Sequence, residues 1–251
     1  MYTNSVNMHH EDNFKQKLDL AIQKRPSLTG KKLWIDITVY SLLISVIVSL
    51  YYFLQQGTFS IRIANRMIGD VSMLLMGLSM ALSGLCYYWN FADHFIVYRK
   101  QLGVIGFIYA LIHTIIALFF LPRSLPFLVR YLEPDNILMF TTALIAIVIY
   151  LGMVIISTKK VIQILGGLLW RRLLRIGYIA YFLSVLHFAL VGYDRWLEWL
   201  TGKDEKLLPH FGLIIFMYGS AVLVLRIILW ISHINKSPAT IESHEKNSLS
   251  F

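Results

Sequence analysis

The sequence contains few charged residues. Of its 251 residues, 15% are charged and 57% are hydrophobic, whereas a soluble domain carries about 25% charged residues. Apolar runs recur from Leu33 almost to the C-terminus, too many for one globular core. This composition excludes an ordinary soluble domain and predicts a membrane protein.

Cysteine is almost absent too. The single cysteine, Cys86, lies inside an apolar run. One cysteine can form neither an internal disulfide nor a metal site with several thiolates. It also excludes a membrane enzyme that oxidises thiols, because that chemistry needs paired cysteines. We interpret Cys86 as a small buried hydrophobic residue.

The sequence also lacks a phosphate-binding loop and a basic soluble domain. The connections between apolar runs are short, and no glycine-rich loop precedes a predicted helix, so the chain has no flavin- or nucleotide-binding module of its own. Its net charge of +9 comes from Lys and Arg in the gaps between apolar runs, as in cytoplasmic loops. We therefore expect a lipid bilayer as a partner, and no nucleic acid.

Six apolar runs reach the roughly 20 residues that a helix needs to cross a bilayer. They cover residues 33–54, 68–88, 102–121, 137–157, 173–193 and 211–232. The predicted fold is therefore all-α, a polytopic bundle of six transmembrane helices over residues 33–232. Polar tails at residues 1–32 and 233–251 flank the bundle.

The basic residues also predict an orientation. With the N-terminus inside, fifteen Lys and Arg residues fall in cytoplasmic segments and seven in outer segments. Because cytoplasmic loops carry an excess of these residues, both tails are predicted to be cytoplasmic. We expect an integral multi-pass protein of a bacterial inner membrane.

Two histidines lie deep inside predicted helices, His113 in the third and His187 in the fifth. His113 follows Lys100 by 13 residues and His187 follows Arg172 by 15. At 1.5 Å per residue they lie about 20 and 22 Å from the same membrane face. A neutral imidazole nitrogen coordinates iron while a hydrogen bond orients the ring through the other nitrogen. The two histidines are therefore candidate ligands of one haem.

Small residues accompany both histidines. Gly106 precedes His113 and Ser184 precedes His187 on nearby helical faces. They would let a flat macrocycle approach the backbone, although such residues also allow helices to pack closely. The expected hydrogen-bond acceptors for the imidazoles are carbonyls one turn back, at Tyr109 or Leu183.

Two arginines, Arg66 and Arg123, lie on the predicted outer side of the membrane. They are candidates for binding the propionates of a haem that lies outward of the midplane. Arginines in outer loops also commonly face water or phosphate headgroups, so this alternative stays open.

Two stretches of the sequence resemble the ferric reductase-like transmembrane family. Tyr-Arg-Lys-Gln-Leu-Gly at 98–103, followed by Leu-Ile-His at 111–113, resembles the third helix of that family. Trp-Arg-Arg-Leu-Leu-Arg at 170–175, followed by Leu-His-Phe at 186–188, resembles its fifth helix. The resemblance covers roughly the second to the sixth helix. It implies a haem b protein that transfers electrons, with His113 and His187 as the iron ligands.

The sequence departs from this family where some members carry further histidines. Those positions hold Leu174, Phe127 and Leu200, so the resemblance implies one haem per chain. Some members also carry a flavin domain, which this chain lacks. The electron donor is therefore expected to be a quinol or a separate flavoprotein with FMN or FAD, and the acceptor to lie on the outer side. The chain would then be the electron-transfer component of an oxidoreductase.

Two haem-free functions stay open as alternatives. In a transporter the histidines would relay protons, although few paired ionisable groups accompany them and no internal repeat is visible in the sequence. An assembly subunit without a cofactor is the other alternative. A visible absorption spectrum distinguishes these functions from a haem protein.

Overall fold

The computed structural model describes residues 30–89, 94–121, 132–204 and 206–248. The chain divides into two compact units, Met1–Asp36 and Ile37–Phe251. In the first unit the described residues are 30–36, and they are helical. The second unit contains the cavities described below, together with His113 and His187.

The described residues form seven α-helices and a short 3₁₀ helix, with no strand among them. The α-helices are α1 Gly30–Gln56, α2 Ile61–Tyr88, α3 Arg99–Phe119, α4 Pro134–Ile156, α5 Lys159–Leu174, α6 Gly177–Leu200 and α7 Phe211–Ser248. The 3₁₀ helix, Ile96–Tyr98, leads into α3. Six of the described helices are long and apolar enough to cross a membrane. The prediction of an all-α, six-span integral membrane protein is confirmed.

Three helices differ most from the predicted runs, and α6 is one of them, since it covers Gly177–Leu200 where the run 173–193 was predicted. Helix α2 begins at Ile61, ahead of the predicted apolar run, because Ser60 caps it: the Ser60 hydroxyl accepts a hydrogen bond from the Ile63 amide at 3.3 Å. Helix α7 passes its apolar segment and continues to Ser248. At the start of α2 and at the ends of α6 and α7, polar residues continue the helix beyond its apolar run.

Helix α5 was not predicted. It connects α4 with α6 and is interrupted at Gly166, whose φ of 72° lies in the left-handed region that favours glycine. Ile164 and Leu169 are exposed while basic residues such as Lys160 and Arg172 flank them. The mixture of apolar and basic residues explains why a search for long apolar runs does not detect this helix.

Helix α2 is the central span of the bundle. In its apolar window 76% of the residues are buried, against 17–22% in the other five spans. Small residues let several neighbours approach it: a Cβ on Gly69 would contact His113 of α3, and one on Gly84 would contact Leu225 of α7. The other spans keep large apolar side chains exposed on their outer faces, which is the surface that lipid requires.

Four helices form a closed ring in the order α2, α3, α4 and α6. Helix α2 packs antiparallel to α3, since Ser79 near the end of α2 donates to the carbonyl of Arg99, the first residue of α3, at 2.7 Å. Helices α4 and α6 pair in the same way, and contacts between α3 and α4 and between α2 and α6 close the ring. His113 and His187 lie inside this ring.

Gly106 allows α3 to approach the backbone of α2. A Cβ at this position would lie 3.1 Å from the backbone nitrogen of Met76, and Ser72 donates a 2.8 Å hydrogen bond to the Gly106 carbonyl. Gly152 of α4 offers a contrast, because a Cβ there would meet no heavy atom within 4 Å.

We therefore predict that Gly106→Val lowers the free energy of unfolding by about 1–3 kcal/mol, the usual cost of overpacking. Gly152→Val makes the same chemical change at an open helical position, so its stability should stay close to that of the unmodified protein. The midpoint of thermal unfolding in detergent measures the difference. Equal midpoints for the two variants would contradict the close packing of α2 and α3 at Gly106.

Candidate functional site

The side chains of His113 and His187 line one cavity inside the ring of four helices. Helix α3 carries His113 and α6 carries His187, and the two imidazoles are close enough to interact electrostatically. This cavity, here called the histidine cavity, has a volume of about 510 Å³, its open mouth included. The structure thus brings together two residues that the sequence placed at a similar membrane depth.

Each imidazole is oriented by a backbone carbonyl of a neighbouring helix. His113 Nδ1 lies 2.8 Å from the carbonyl oxygen of Asn65 in α2, and His187 Nδ1 lies 2.9 Å from that of Met139 in α4. A carbonyl only accepts, so Nδ1 carries the proton in both rings and Nε2 keeps its lone pair. Among the described residues no hydrogen bond engages either Nε2. Both rings therefore have the tautomer that an axial metal ligand needs.

These acceptors are not the expected ones. The predicted carbonyls of Tyr109 and Leu183 lie on the histidines' own helices, whereas the observed ones belong to α2 and α4. A helical carbonyl points toward the residue four positions later, and those residues are the small Gly69 and Ala143. A Cβ on Gly69 would lie only 3.0 Å from His113 Nδ1. Small residues at these two positions leave the carbonyls accessible to the imidazoles.

The residues that line the histidine cavity form pairs with a constant spacing. Each lining residue of α2 or α3 has a counterpart in α4 or α6 whose number is higher by 74, the difference between 113 and 187. The pairs are Gly69 with Ala143, Ser72 with Ala146, Met73 with Ile147, Met76 with Tyr150, Ala110 with Ser184, His113 with His187, and Thr114 with Phe188. The acceptor carbonyls follow the same rule, since each lies 48 residues before its histidine. The cavity is therefore built from two equivalent halves.

The equal spacing of the pairs and the order of the ring indicate that a half-turn about an axis along the helices relates the two halves. Successive spans alternate in direction, so α2 runs parallel to α4 and α3 runs parallel to α6. Contacts at the far end of the ring repeat as well: a Cβ on Gly103 would meet Ser79, and a Cβ on Gly177 would meet Met153. The half-turn exchanges α2–α3 with α4–α6 and one histidine with the other.

A second cavity, the arginine cavity, adjoins the first at both histidines. Its volume is about 580 Å³, the open mouth included. Arg66 of α2, Arg195 of α6 and Asp70 line it. The two arginines interact electrostatically with each other and with Asp70, whose Oδ2 accepts a 2.5 Å hydrogen bond from the Tyr52 hydroxyl. Neither arginine belongs to an ion pair within the described part of the chain. Two neighbouring guanidinium groups favour an anionic ligand.

Four of the predicted site residues line these cavities. His113, His187 and Ser184 lie in the histidine cavity, and Arg66 lies in the arginine cavity. Gly106 lines neither of them and packs α3 against α2 instead. Arg123 lies outside the described residues.

Two residues of the arginine cavity, Arg195 and Asp70, were not expected in the site from the sequence, in which Asp70 was interpreted as a helix-end residue in contact with interfacial water. Arg195 lies just beyond the predicted end of the fifth run and was counted as an outer-loop residue. Its spacing was nevertheless informative, since residues 187, 191 and 195 recur every four positions and share one face of α6. Asp70 is 3% exposed, and a carboxyl group so deeply buried in a membrane helix is itself a signal of a functional site.

A third cavity lies at the opposite end of the ring and has a volume of about 1210 Å³, its open mouth included. Arg99, Lys100 and Trp170 contribute hydrogen-bond donors to this Trp170 cavity, and Trp170 Nε1 is buried with no hydrogen-bond partner among the described residues. Met76 and Tyr150 line both this cavity and the histidine cavity. The two cavities therefore adjoin at these two residues.

No protein-family model matches the sequence, and no curated protein sequence matches it either. The resemblance to the ferric reductase-like family therefore stays a prediction from the two stretches quoted above.

His210 lies at the edge of the arginine cavity and outside the spans. Burial lowers the pKa of His210 below its ordinary value, while Asp204, whose Oδ2 is 2.9 Å from His210 Nε2, acts in the opposite direction. A lowered pKa means that the folded protein binds this proton less readily than the unfolded chain does. This residue therefore destabilises the fold as the pH falls below the ordinary histidine range.

We predict that Asp204→Asn lowers the pKa of His210 further. The change removes the carboxylate that favours the imidazolium, while the nearby positive charges of Lys206 and Arg195 remain. Nuclear magnetic resonance titration of the His210 ring measures the shift, and Asp194→Asn, at an exposed carboxylate of α6, is the control. A raised pKa in Asp204→Asn would contradict the assigned contact.

Proposed function

We propose that this chain is a membrane haem b protein that transfers electrons, and that His113 and His187 are the residues that would hold its iron. The observation that carries the proposal is the matched state of the imidazoles, since both Nδ1 atoms donate to carbonyls and both Nε2 lone pairs are left for a metal. The half-turn between the halves adds to it, because two axial ligands must approach from opposite faces of one ring. When bound, the haem supplies one-electron oxidation and reduction.

The residues of the histidine cavity fit a macrocycle better than a bare metal ion. Among the described residues no group of three or more His, Cys, Asp or Glu could hold a metal ion, so a bare ion would find too few protein ligands. A macrocycle brings four nitrogen ligands of its own and needs only two more. The small side chains of Gly69, Ala110 and Ala146 leave a flat ring access to the backbone.

The arginine cavity supports the same ligand. Arg66 and Arg195 would bind the carboxylates of the haem, since guanidinium groups pair strongly with carboxylates where water is scarce. We include Arg123 with them as a prediction from the sequence. Apolar lining residues such as Met73 and Phe188 would exclude water from a bound haem and would thereby help to set its reduction potential.

The Trp170 cavity supports a quinol as the electron donor. Its lining is mainly apolar, and its donors Lys100 and Trp170 suit a ligand that carries oxygen acceptors on an apolar body. Met76 and Tyr150 line both this cavity and the histidine cavity, so a quinol bound here would lie next to the proposed haem site. A separate flavoprotein is the alternative donor. The acceptor is proposed to lie beyond the arginine cavity, as in a ferric reductase-like electron-transfer component.

One observation favours a second candidate, a haem-free proton relay. Asp70, His113 and His187 all line the arginine cavity, and protonatable groups that share a cavity inside a membrane protein are typical of proton pathways. An absorption spectrum of the purified protein separates the two candidates, because only a haem protein has a Soret band. A protein without that band would leave the relay or an assembly role.

We predict that His113→Ala and His187→Ala each abolish the low-spin spectrum of a bis-histidine haem and most of the bound haem, because each removes one axial ligand. The unmodified protein should saturate near one haem per chain. His94→Ala is the matched control, since His94 lines none of the three cavities. His210→Ala is a second comparison, because His210 lines the arginine cavity but not the histidine cavity. They should leave the spectrum nearly unchanged.

Absorption spectroscopy and haem quantification of the purified variants decide the outcome. An unaltered low-spin spectrum in His113→Ala would show that the iron ligand is another residue. A ratio near two haems per chain would show that further ligands exist, and His94 and His210 would be the first to test.

We further propose that both termini are cytoplasmic and that the membrane is a bacterial inner membrane, which the count of fifteen basic residues against seven supports. Reporter fusions at Lys160, which precedes α6, and at Lys203, which follows it, should report cytoplasmic and outer positions respectively. The opposite pattern would reverse the orientation and with it the proposed direction of the acceptor.

A further inference from the structure

The half-turn that relates α2–α3 to α4–α6 exchanges His113 with His187. An iron atom bound to both Nε2 atoms would lie on the axis of this half-turn, with its two axial bonds perpendicular to that axis. The plane of a macrocycle is itself perpendicular to the axial bonds, so the axis lies within the plane. The half-turn therefore turns the macrocycle over and exchanges the face that meets His113 with the face that meets His187.

We propose that the histidine cavity binds haem b in both of the orientations that this half-turn relates, so that either face of the ring can meet His113. The proposal rests on the haem function proposed above and extends it to the recognition of the ring by this chain. Haem b is not symmetric about the line between its two propionates. Turning it over about this line leaves the carboxylates in place and exchanges vinyl positions with methyl positions at the opposite edge.

The arginines hold the carboxylate edge in either orientation. Arg66 comes from α2 in one half of the ring, and Arg195 comes from α6 in the other half. Each half therefore contributes one guanidinium group at the same end of the cavity. Because both carboxylates return to this end after the half-turn, the arginines fix the edge of the ring without selecting its face.

Two pairs of lining residues select the face. Most pairs differ by no more than a methyl or a hydroxyl group, as Ser72 and Ala146 do. Met76 and Tyr150 differ much more, and Tyr150 is held on its own side by a 3.2 Å hydrogen bond between its hydroxyl and Ser184. Phe188 opposite Thr114 is the other large difference. We expect these contrasts to favour one orientation by a factor below about ten, which is about 1.4 kcal/mol.

Proton nuclear magnetic resonance of the oxidised, low-spin protein measures the two orientations directly. Each orientation places the four haem methyl groups in different surroundings, so the unmodified protein loaded with haem b should show two sets of shifted methyl resonances. The protein is then loaded with a haem isomer whose vinyl groups are placed symmetrically about the line between the propionates. This isomer should give a single set, because turning it over changes nothing.

A substitution at Tyr150 tests the selecting residue. Tyr150→Met makes this position identical to its counterpart Met76, so the ratio of the two sets should move toward one to one. Tyr193→Met is the matched control, because Tyr193 also belongs to the α4–α6 half but its side chain is 61% exposed. Its ratio should equal that of the unmodified protein. An unchanged ratio in Tyr150→Met would overturn the selecting role of Tyr150.

Two results would overturn the proposal while leaving the haem function intact. One is a single set of methyl resonances from haem b in both the unmodified protein and Tyr150→Met. The other is two sets that persist with the symmetric isomer, since the difference would then belong to the protein and not to the ring. The absorption spectrum is measured before the resonance experiment. If the purified protein shows no low-spin haem spectrum, both the haem function and this inference are overturned.

Discussion

Two backbone carbonyls determine how the histidines of this bundle are oriented. Asn65 and Met139 already belong to helices, yet their carbonyl oxygens also accept a hydrogen bond from an imidazole of the neighbouring span. Without these two bonds the rings could turn, and the nitrogen presented to the cavity would not be defined. The small residues Gly69 and Ala143 keep both carbonyls accessible. The chemistry of the site therefore depends on the absence of side chains as much as on the histidines.

The same requirement accounts for the position of α2 at the centre. A helix that contacts several others along its length must be narrow, and α2 carries glycine or serine where α3, α6 and α7 approach it. Its one buried carboxyl group, Asp70, is satisfied by the Tyr52 hydroxyl of α1 and by the charges of the arginine cavity. Burial of a charge inside a membrane is costly without such partners. Packing and electrostatics thus converge on the helix that also orients His113.

Hydropathy predicts most of this fold because a membrane imposes a simple length requirement on each span. The similar depths of His113 and His187 were predictable for the same reason, since helical rise converts sequence distance into height. Their acceptors were not predictable, because a contact between helices depends on the rotation of each helix, which hydropathy does not specify. Arg195 and α5 escaped notice because polar residues near the ends of spans resemble ordinary loops.

The repeat was invisible in the sequence for a different reason. Of the seven pairs that line the histidine cavity, only the histidines are identical. The residues of the other six pairs occupy equivalent positions on their helices but differ in residue type. Equivalence of the halves therefore appears only when helices are seen side by side, through the equal spacing of 48 residues from acceptor to histidine in both.

The division of the ring into halves also bears on how the bundle holds together. Each half carries one of the two imidazoles, so neither α2–α3 nor α4–α6 can engage a metal centre from both sides by itself. A ligand that binds His113 and His187 at once joins the halves, and its binding free energy adds to the free energy of their association. The cofactor would then act as a clamp between two hairpins as well as a carrier of electrons.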